Sequence, residues 1–160
     1  MTIALFAGRF DPCTNGHQDI AIRASKMFDT LIVGIADSSS TLFSTDERVE
    51  LFKEATAAHS NIEVQSYRGL TVNFAQEIGS TVLVRSMRGT TDFDTEFDMA
   101  LMNRKMAPGI EPVFLISSLE FIFISGTRVR EIAASGSVEE FAYFVPPHVA
   151  EALKRKLGRF

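Results

Sequence analysis

The N-terminal stretch Ile3-Ala4-Leu5-Phe6-Ala7, followed by Gly8-Arg9-Phe10-Asp11-Pro12-Cys13-Thr14-Asn15-Gly16-His17, decides the fold. Five apolar residues in a row suit a strand buried on both faces, because a strand with one wet face would alternate apolar and polar. A glycine-bounded polar loop comes next. The chain then takes up helical period from about His17 to Phe28, with Ile20, Ala24, Met27 and Phe28 expected on one face. Strand, loop and helix in this order open a parallel α/β sheet.

The pattern repeats along the chain. Further strands are expected at Leu31 to Ala36, Ile62 to Gln65, Val82 to Val84 and Val113 to Ile116. Ser44 with Glu47 has the spacing of a capping box. It opens a helix running to Ala58 that sets Val49, Phe52 and Ala55 together. A helix from Val72 to Ile78 stops at Gly79. Another, Asp92 to Met106, carries Asp92, Asp94, Glu96 and Asp98 in its first two turns, where the helix dipole favours anions, and ends at Pro108-Gly109. Thr127 to Ser135, Val138 to Phe141 and Pro147 to Leu157 read as C-terminal helices. The expected fold class is therefore α/β, a Rossmann-like doubly wound five-stranded parallel sheet of order 3-2-1-4-5 in one domain spanning residues 1–160. Ligands in such sheets bind where the strand order reverses, between the loops Gly8 to Gly16 and Arg85 to Thr91.

Composition narrows the function. The 160 residues are 46% hydrophobic and 22% charged, with a net charge of -4 and one cysteine. A chain of this size buries roughly 70% of its unfolded surface and needs no staple. Cys13 cannot form an internal bridge, and three scattered histidines offer no zinc spacing, so a reducing cytoplasm is expected. Met1 to Ala7 is not a signal peptide, and no apolar run approaches the ~20 residues of a membrane span. The acidic balance argues against a nucleic-acid partner.

Three segments carry chemistry. The first loop has neither the Gly-x-Gly-x-x-Gly dinucleotide fingerprint nor a Walker phosphate loop. Gly8 instead permits close approach of a ligand, Gly16 a tight start to the helix, and His17 stands where helix amides attract anions. The same residues also make an ordinary strand-to-helix turn. Arg85 and Arg88 at the second loop are suited to phosphate, or to surface ion pairs. Glu96 suits either a solvated face or a hydrogen bond to a sugar or an arginine. Ser125 ahead of a helical run with Arg130 one turn inside is again placed for phosphate. For Phe121 and Phe123 core packing is expected. Cys13 is read as a small apolar filler, and His59 and His148 as surface residues.

The order Phe10-Asp11-Pro12, Thr14-Asn15-Gly16-His17, Val84-Arg85-Ser86-Met87-Arg88, Asp92-Phe93-Asp94-Thr95-Glu96 and Ile124-Ser125-Gly126-Thr127 with Arg130 resembles the bacterial phosphopantetheine adenylyltransferases. These are nucleotidyltransferases with a His-x-Gly-His signature whose first histidine is Thr14 here. The likeness spans nearly the whole chain, including Leu70 to Ala75, Met102-Asn103-Arg104 and Phe144-Val145-Pro146.

The resemblance implies transfer of AMP from ATP to 4'-phosphopantetheine, giving 3'-dephospho-CoA and pyrophosphate, the penultimate step of coenzyme A synthesis. It implies that His17 stabilises the pentacovalent transition state. ATP would be held by Arg9, Phe10, His17, Ser86, Met87, Arg88 and Glu96, and by the segment Phe121, Ile122, Phe123, Ile124, Ser125, Gly126 and Thr127. Arg9, Leu70, Thr71 and Arg85 would contact phosphopantetheine. Magnesium would arrive with ATP, with no dedicated metal ligands. A homohexamer and inhibition by coenzyme A are implied as well. The alternatives are transfer to another phosphorylated acceptor and a non-catalytic nucleotide-binding module. The chain departs from the family at Arg9, where a small hydroxyl is usual, and in the loop Asp37 to Phe43, which looks shorter and lacks a usual lysine. Ser86 replaces a glycine and Gly126 a serine.

Overall fold

The computed structural model describes residues 1–136 and 138–158, apart from the side chains of residues 91 and 138. Five strands, β1 (Ile3–Gly8), β2 (Thr30–Ala36), β3 (Ile62–Tyr67), β4 (Val82–Met87) and β5 (Glu111–Ile116), form one all-parallel sheet of order β3-β2-β1-β4-β5. The helices are α1 (Asn15–Ser25), α2 (Thr45–Thr56), α3 (Thr71–Glu77), α4 (Thr90–Met106), α5 (Gly126–Ser135), α6 (Val138–Ala142) and α7 (Pro147–Leu157). The strand order is the expected one, and β1 stands at the reversal with β2 and β4 on either side.

β1 and β2 are buried along their apolar centres, as their sequence requires, whereas the edge strand β5, apolar from Val113 to Ile116, is only partly covered and leaves Ile116 exposed. One core lies between the sheet and α1, α2, α5 and α7, and includes Phe6, Ile20, Phe52, Val129 and Leu153. The other packs α3, through Val72, Phe74 and Ala75, on Leu5, Ile32 and Leu83. The capping box that opens α2 is present in both directions. Val49, Phe52 and Ala55 face the core as expected.

Several boundaries shift for physical reasons. β4 continues three residues beyond Val84, because Arg85, Ser86 and Met87 stay in register with Phe114, Leu115 and Ile116. Polar residues hide this strand end from an apolar-run reading. β3 likewise extends to Tyr67. α1 begins at Asn15 and ends at Ser25, so Met27 sits in the following turn and is exposed rather than on the buried face. His148 is not a surface residue: it is half-buried and its Nε2 is 2.9 Å from the Leu51 carbonyl, joining α7 to α2. Phe123 is 63% exposed, which removes it from the core. No helix among the described residues is long and apolar enough to cross a membrane.

Candidate active site

A cleft of about 480 Å³ opens at the C-terminal ends of β1 and β4, the place a doubly wound sheet reserves for ligands. The first wall is the loop between β1 and α1. Phe10 takes a left-handed backbone, φ 48°, and its ring lies 3.0 Å from where a Gly8 Cβ would stand. A Cβ at Gly8 would press on the Phe10 ring, so glycine there suits the packing of Phe10, whereas Gly16 is not left-handed and adds no such constraint. Phe10 in turn packs edge-on against Phe6, Phe52 and His17.

His17 is the third residue of α1 and completes a capping box of its own. Thr14 Oγ1 accepts the His17 N–H at 3.3 Å, and His17 Nδ1 accepts the Thr14 N–H at 3.1 Å. With Nδ1 an acceptor, the neutral ring carries its proton on Nε2. Burial first and the Arg88 charge second lower the His17 pKa to about 4, against a weaker upward pull from the Pro12 carbonyl. At neutral pH the ring is an uncharged donor. His17 lines the cleft, so its Nε2 side can meet a ligand there.

The second wall comes from β4 and α4. Arg85 forms a two-pronged ion pair with Glu96, Nε to Oε2 at 2.7 Å and Nη2 to Oε1 at 2.8 Å, and Nη1 donates to the Ala7 carbonyl at 3.2 Å. Hydrogen bonding to Glu96 holds the Arg85 pKa above its usual value. Arg88 pairs with Asp92 at 3.2 Å and donates to the Ile124 carbonyl. Asp92 also accepts the Arg88 N–H just ahead of α4, while Asp94 and Asp98 are exposed. Of the two readings open for Glu96, the arginine partner is the observed one.

The third wall is the approach to α5. Ser125 caps the helix by accepting the Arg128 N–H. The first-turn amides of a helix lack partners within it, so this end favours an anion. A Cβ at Gly126 would stand 3.0 Å from the Asp11 carbonyl, a close approach that glycine relieves. Arg130 donates to that same carbonyl.

The structure brings most of the expected site residues onto this one cleft: Arg9, Phe10 and His17 from the first loop, Arg85, Ser86, Arg88 and Glu96 from the second wall, and Phe121, Ile124, Ser125, Gly126 and Thr127 from the third. Met87, Ile122, Phe123, Leu70 and Thr71 do not line it. Leu70 is exposed at the start of α3, and Thr71 shares a hydrogen bond with the Tyr67 hydroxyl. Cys13 is buried, which pushes its thiol pKa up and makes it the inert filler expected.

Sequence reasoning gave no role to Asp11, Ser40, Thr41, Thr95 or Ser117, which also line the cleft, nor to Arg48 beneath it. Asp11 is buried and accepts the Leu42 and Phe43 N–H groups at 2.8 and 3.0 Å, tying the 37–44 loop to the first wall. Arg48 is wholly buried. Its signal was present, since it precedes Phe52 by four residues and shares its helix face.

The charges of the cleft do not cancel. Four guanidiniums, on Arg9, Arg85, Arg88 and Arg130, meet three carboxylates, on Asp11, Asp92 and Glu96. Each carboxylate lies within ion-pair distance of one arginine, which leaves Arg9, exposed at the mouth, with no partner among the described residues. An arginine surplus, a neutral imidazole donor and a helix N-terminus together make a site for a multiply charged phosphate ligand.

Comparison with known proteins agrees. Residues 5–132 match the cytidylyltransferase-like family model. Phosphopantetheine adenylyltransferase of Roseiflexus sp. (strain RS-1) is 45% identical over 161 residues, covering 99% of each chain. Those of Desulfitobacterium hafniense (strain DSM 10664 / DCB-2) and Acidovorax sp. (strain JS42) are 44% and 46% identical, each over 98% of this chain and 96% and 95% of theirs. A solved Vibrio parahaemolyticus chain, provisionally named a nicotinate-nucleotide adenylyltransferase, superposes with a TM-score of 0.69 at 18% identity over 99% of this chain and 96% of its own, which speaks to the fold alone.

Proposed function

The chain belongs to the phosphopantetheine adenylyltransferases, within the cytidylyltransferase-like family, and from that premise we propose that it transfers the adenylyl group of ATP to 4'-phosphopantetheine. A phosphate oxygen of the acceptor attacks the α-phosphorus, the bond from that phosphorus to the bridging oxygen breaks, and pyrophosphate leaves. The products are 3'-dephospho-CoA and pyrophosphate, and the reaction is the penultimate one of coenzyme A synthesis.

Such a reaction needs positioning and charge stabilisation rather than a protein nucleophile. The observation that carries the reading is His17, neutral and fixed through Nδ1, with Nε2–H available inside an arginine-rich cleft. In this reading Nε2 donates to the α-phosphate oxygen that gains charge at the transition state. Arg88, the start of α5 and Ser86 hold the triphosphate, Phe121 and Ile124 bed the adenine, and Met87, Ile122 and Phe123 contribute as backbone behind that bed. Arg85, oriented by Glu96, and the unpartnered Arg9 take the acceptor phosphate. The pantetheine arm then runs out of the cleft toward Leu70 and Thr71. Arg9 supplies the cation that the short 37–44 loop does not.

Magnesium belongs to the substrate as MgATP. Among the described residues no group of three or more His, Cys, Asp or Glu side chains gathers as a metal cage, and the cleft carboxylates face arginines. Such a donor set fits an ion held by triphosphate oxygens and water. Self-association as a hexamer draws support from α4, where Phe93, Phe97 and Leu101 form an exposed stripe at four-residue spacing beside exposed Met102 and Met106. A cytoplasmic setting fits the consumption of ATP and the reduced buried thiol. Coenzyme A, which contains the product, would compete for the same cleft.

The test is product identity. MgATP labelled at the α-phosphate, incubated with 4'-phosphopantetheine, should give labelled dephospho-CoA by mass spectrometry together with pyrophosphate. Nicotinate mononucleotide offered in its place should give none. Label transfer to nicotinate mononucleotide alone would overturn the acceptor assignment, and ATP binding without transfer would make the chain a binding module.

A further inference from the structure

Arg48 is a cation placed wholly inside the protein, and among the described residues no carboxylate is bonded to it. Burial, with a smaller push from the Arg9 charge, lowers its pKa, partly offset by the charges of Asp11 and Asp37. Its donors go to backbone carbonyls and one hydroxyl. Nη1 reaches the Arg9 carbonyl at 2.6 Å and the Ala36 carbonyl at 2.9 Å, Nε reaches the Phe43 carbonyl at 3.2 Å, and Nη2 reaches Thr45 Oγ1 at 3.0 Å. One side chain thus joins the loop after β1, the end of β2 and the 37–44 loop.

Among these four acceptors the Arg9 carbonyl matters most for chemistry. The left-handed backbone at Phe10 turns the Arg9–Phe10 peptide so that its oxygen meets the buried guanidinium. The Arg9 side chain goes the other way, exposed and on the wall of the cleft. Holding the carbonyl inside therefore fixes the point from which the Arg9 side chain projects. Among the described residues nothing comparable links Arg48 to His17, which is fixed by Thr14, or to Arg88, which is fixed by Asp92 and Ile124.

We propose that Arg48 is a positioning residue for the acceptor half of the cleft, acting through the Arg9 main chain to aim the Arg9 guanidinium at the acceptor phosphate. The proposal rests on the assignment of Arg9 to that phosphate. A planar fork is needed for the task, because a lysine keeps the charge but cannot span acceptors on three segments.

A double-mutant cycle tests it. Arg48→Lys should raise KM for phosphopantetheine about tenfold, the scale of one misplaced charge-assisted hydrogen bond, while KM for ATP and kcat change by less than about twofold. In an Arg9→Ala background the same change should leave KM for phosphopantetheine within about twofold, since the group it aims is gone. Thr45→Val, which removes one acceptor of the fork and keeps the cation, should give a smaller rise that also vanishes in that background; it serves as the reading if Arg48→Lys does not fold. An equal effect of Arg48→Lys in both backgrounds, or parallel losses in kcat and in both Michaelis constants, would overturn the proposal. A neutral Arg9→Ala would instead strike at the assignment of Arg9, and the two failures are distinguishable because Arg9→Ala is measured alone.

Discussion

Replacing Asp11 by asparagine should destabilise the protein more than any change of a surface carboxylate. Asp11 is 5% exposed, and its two oxygens accept the Leu42 and Phe43 amides while Arg130 lies 3.6 Å away. Each hydrogen bond to an ionised group contributes about 1.5–3 kcal/mol, and a neutral one about 0.5–1.5. Asparagine offers a single carbonyl oxygen, so one backbone amide keeps a weaker bond and the other faces an NH2 group. An unmet buried donor costs about 1–3 kcal/mol. Together these give a loss of about 3 to 4 kcal/mol, and at about 2–4 °C per kcal/mol for a chain of this length the melting temperature falls by about 10 °C. Differential scanning calorimetry on Asp11→Asn, with Glu50→Gln as the control, reads this directly. Glu50 belongs to an exposed pair with Lys53, and its replacement should move the midpoint by less than about 2 °C. If Asp11→Asn melts within 2 °C of the parent, or no lower than the control, the anchoring of the 37–44 loop by Asp11 is refuted.

Other expectations are simpler. His17, with its folded pKa near 4 and the usual unfolded value near 6.5, adds stability that is fully present above pH 6.5 and is lost as pH falls toward 4; nitrogen NMR should find its ring neutral with the proton on Nε2 at pH 6, and a midpoint above pH 6 would contradict the burial argument. Phe97→Glu, on the exposed stripe of α4, should shift sedimentation toward a smaller species, and an unchanged assembly would remove α4 from the interface. Ser44→Ala removes the cap of α2 and should cost about 1 kcal/mol in urea unfolding, with no effect expected on KM.

What the sequence disclosed follows from how each interaction is encoded. The strands buried on both faces announce themselves as apolar runs, and the α2 cap as a three-residue spacing, so topology and the place of the cleft were legible. β4 was read three residues short because Arg85, Ser86 and Met87 stay in the ladder while serving a polar cleft, a combination that no apolar run can show. His17 looked like the first residue of its helix, since histidine is not the usual closing member of a capping box; only geometry reveals Nδ1 in that part. The pairing of Glu96 with Arg85 and the four-way reach of Arg48 depend on distances across strands and loops, which spacing along the chain does not contain.

The most direct test of the central claim is the turnover of His17→Ala. The backbone N–H at position 17 still donates to Thr14 Oγ1, so half of the capping box is kept while the imidazole donor is lost. With MgATP and 4'-phosphopantetheine saturating, kcat should fall by about 10²–10³, the effect of removing one transition-state donor, while ATP binding by titration calorimetry stays within about threefold. A kcat within tenfold of the parent would contradict the assignment of His17 as the group that stabilises the transferring phosphate.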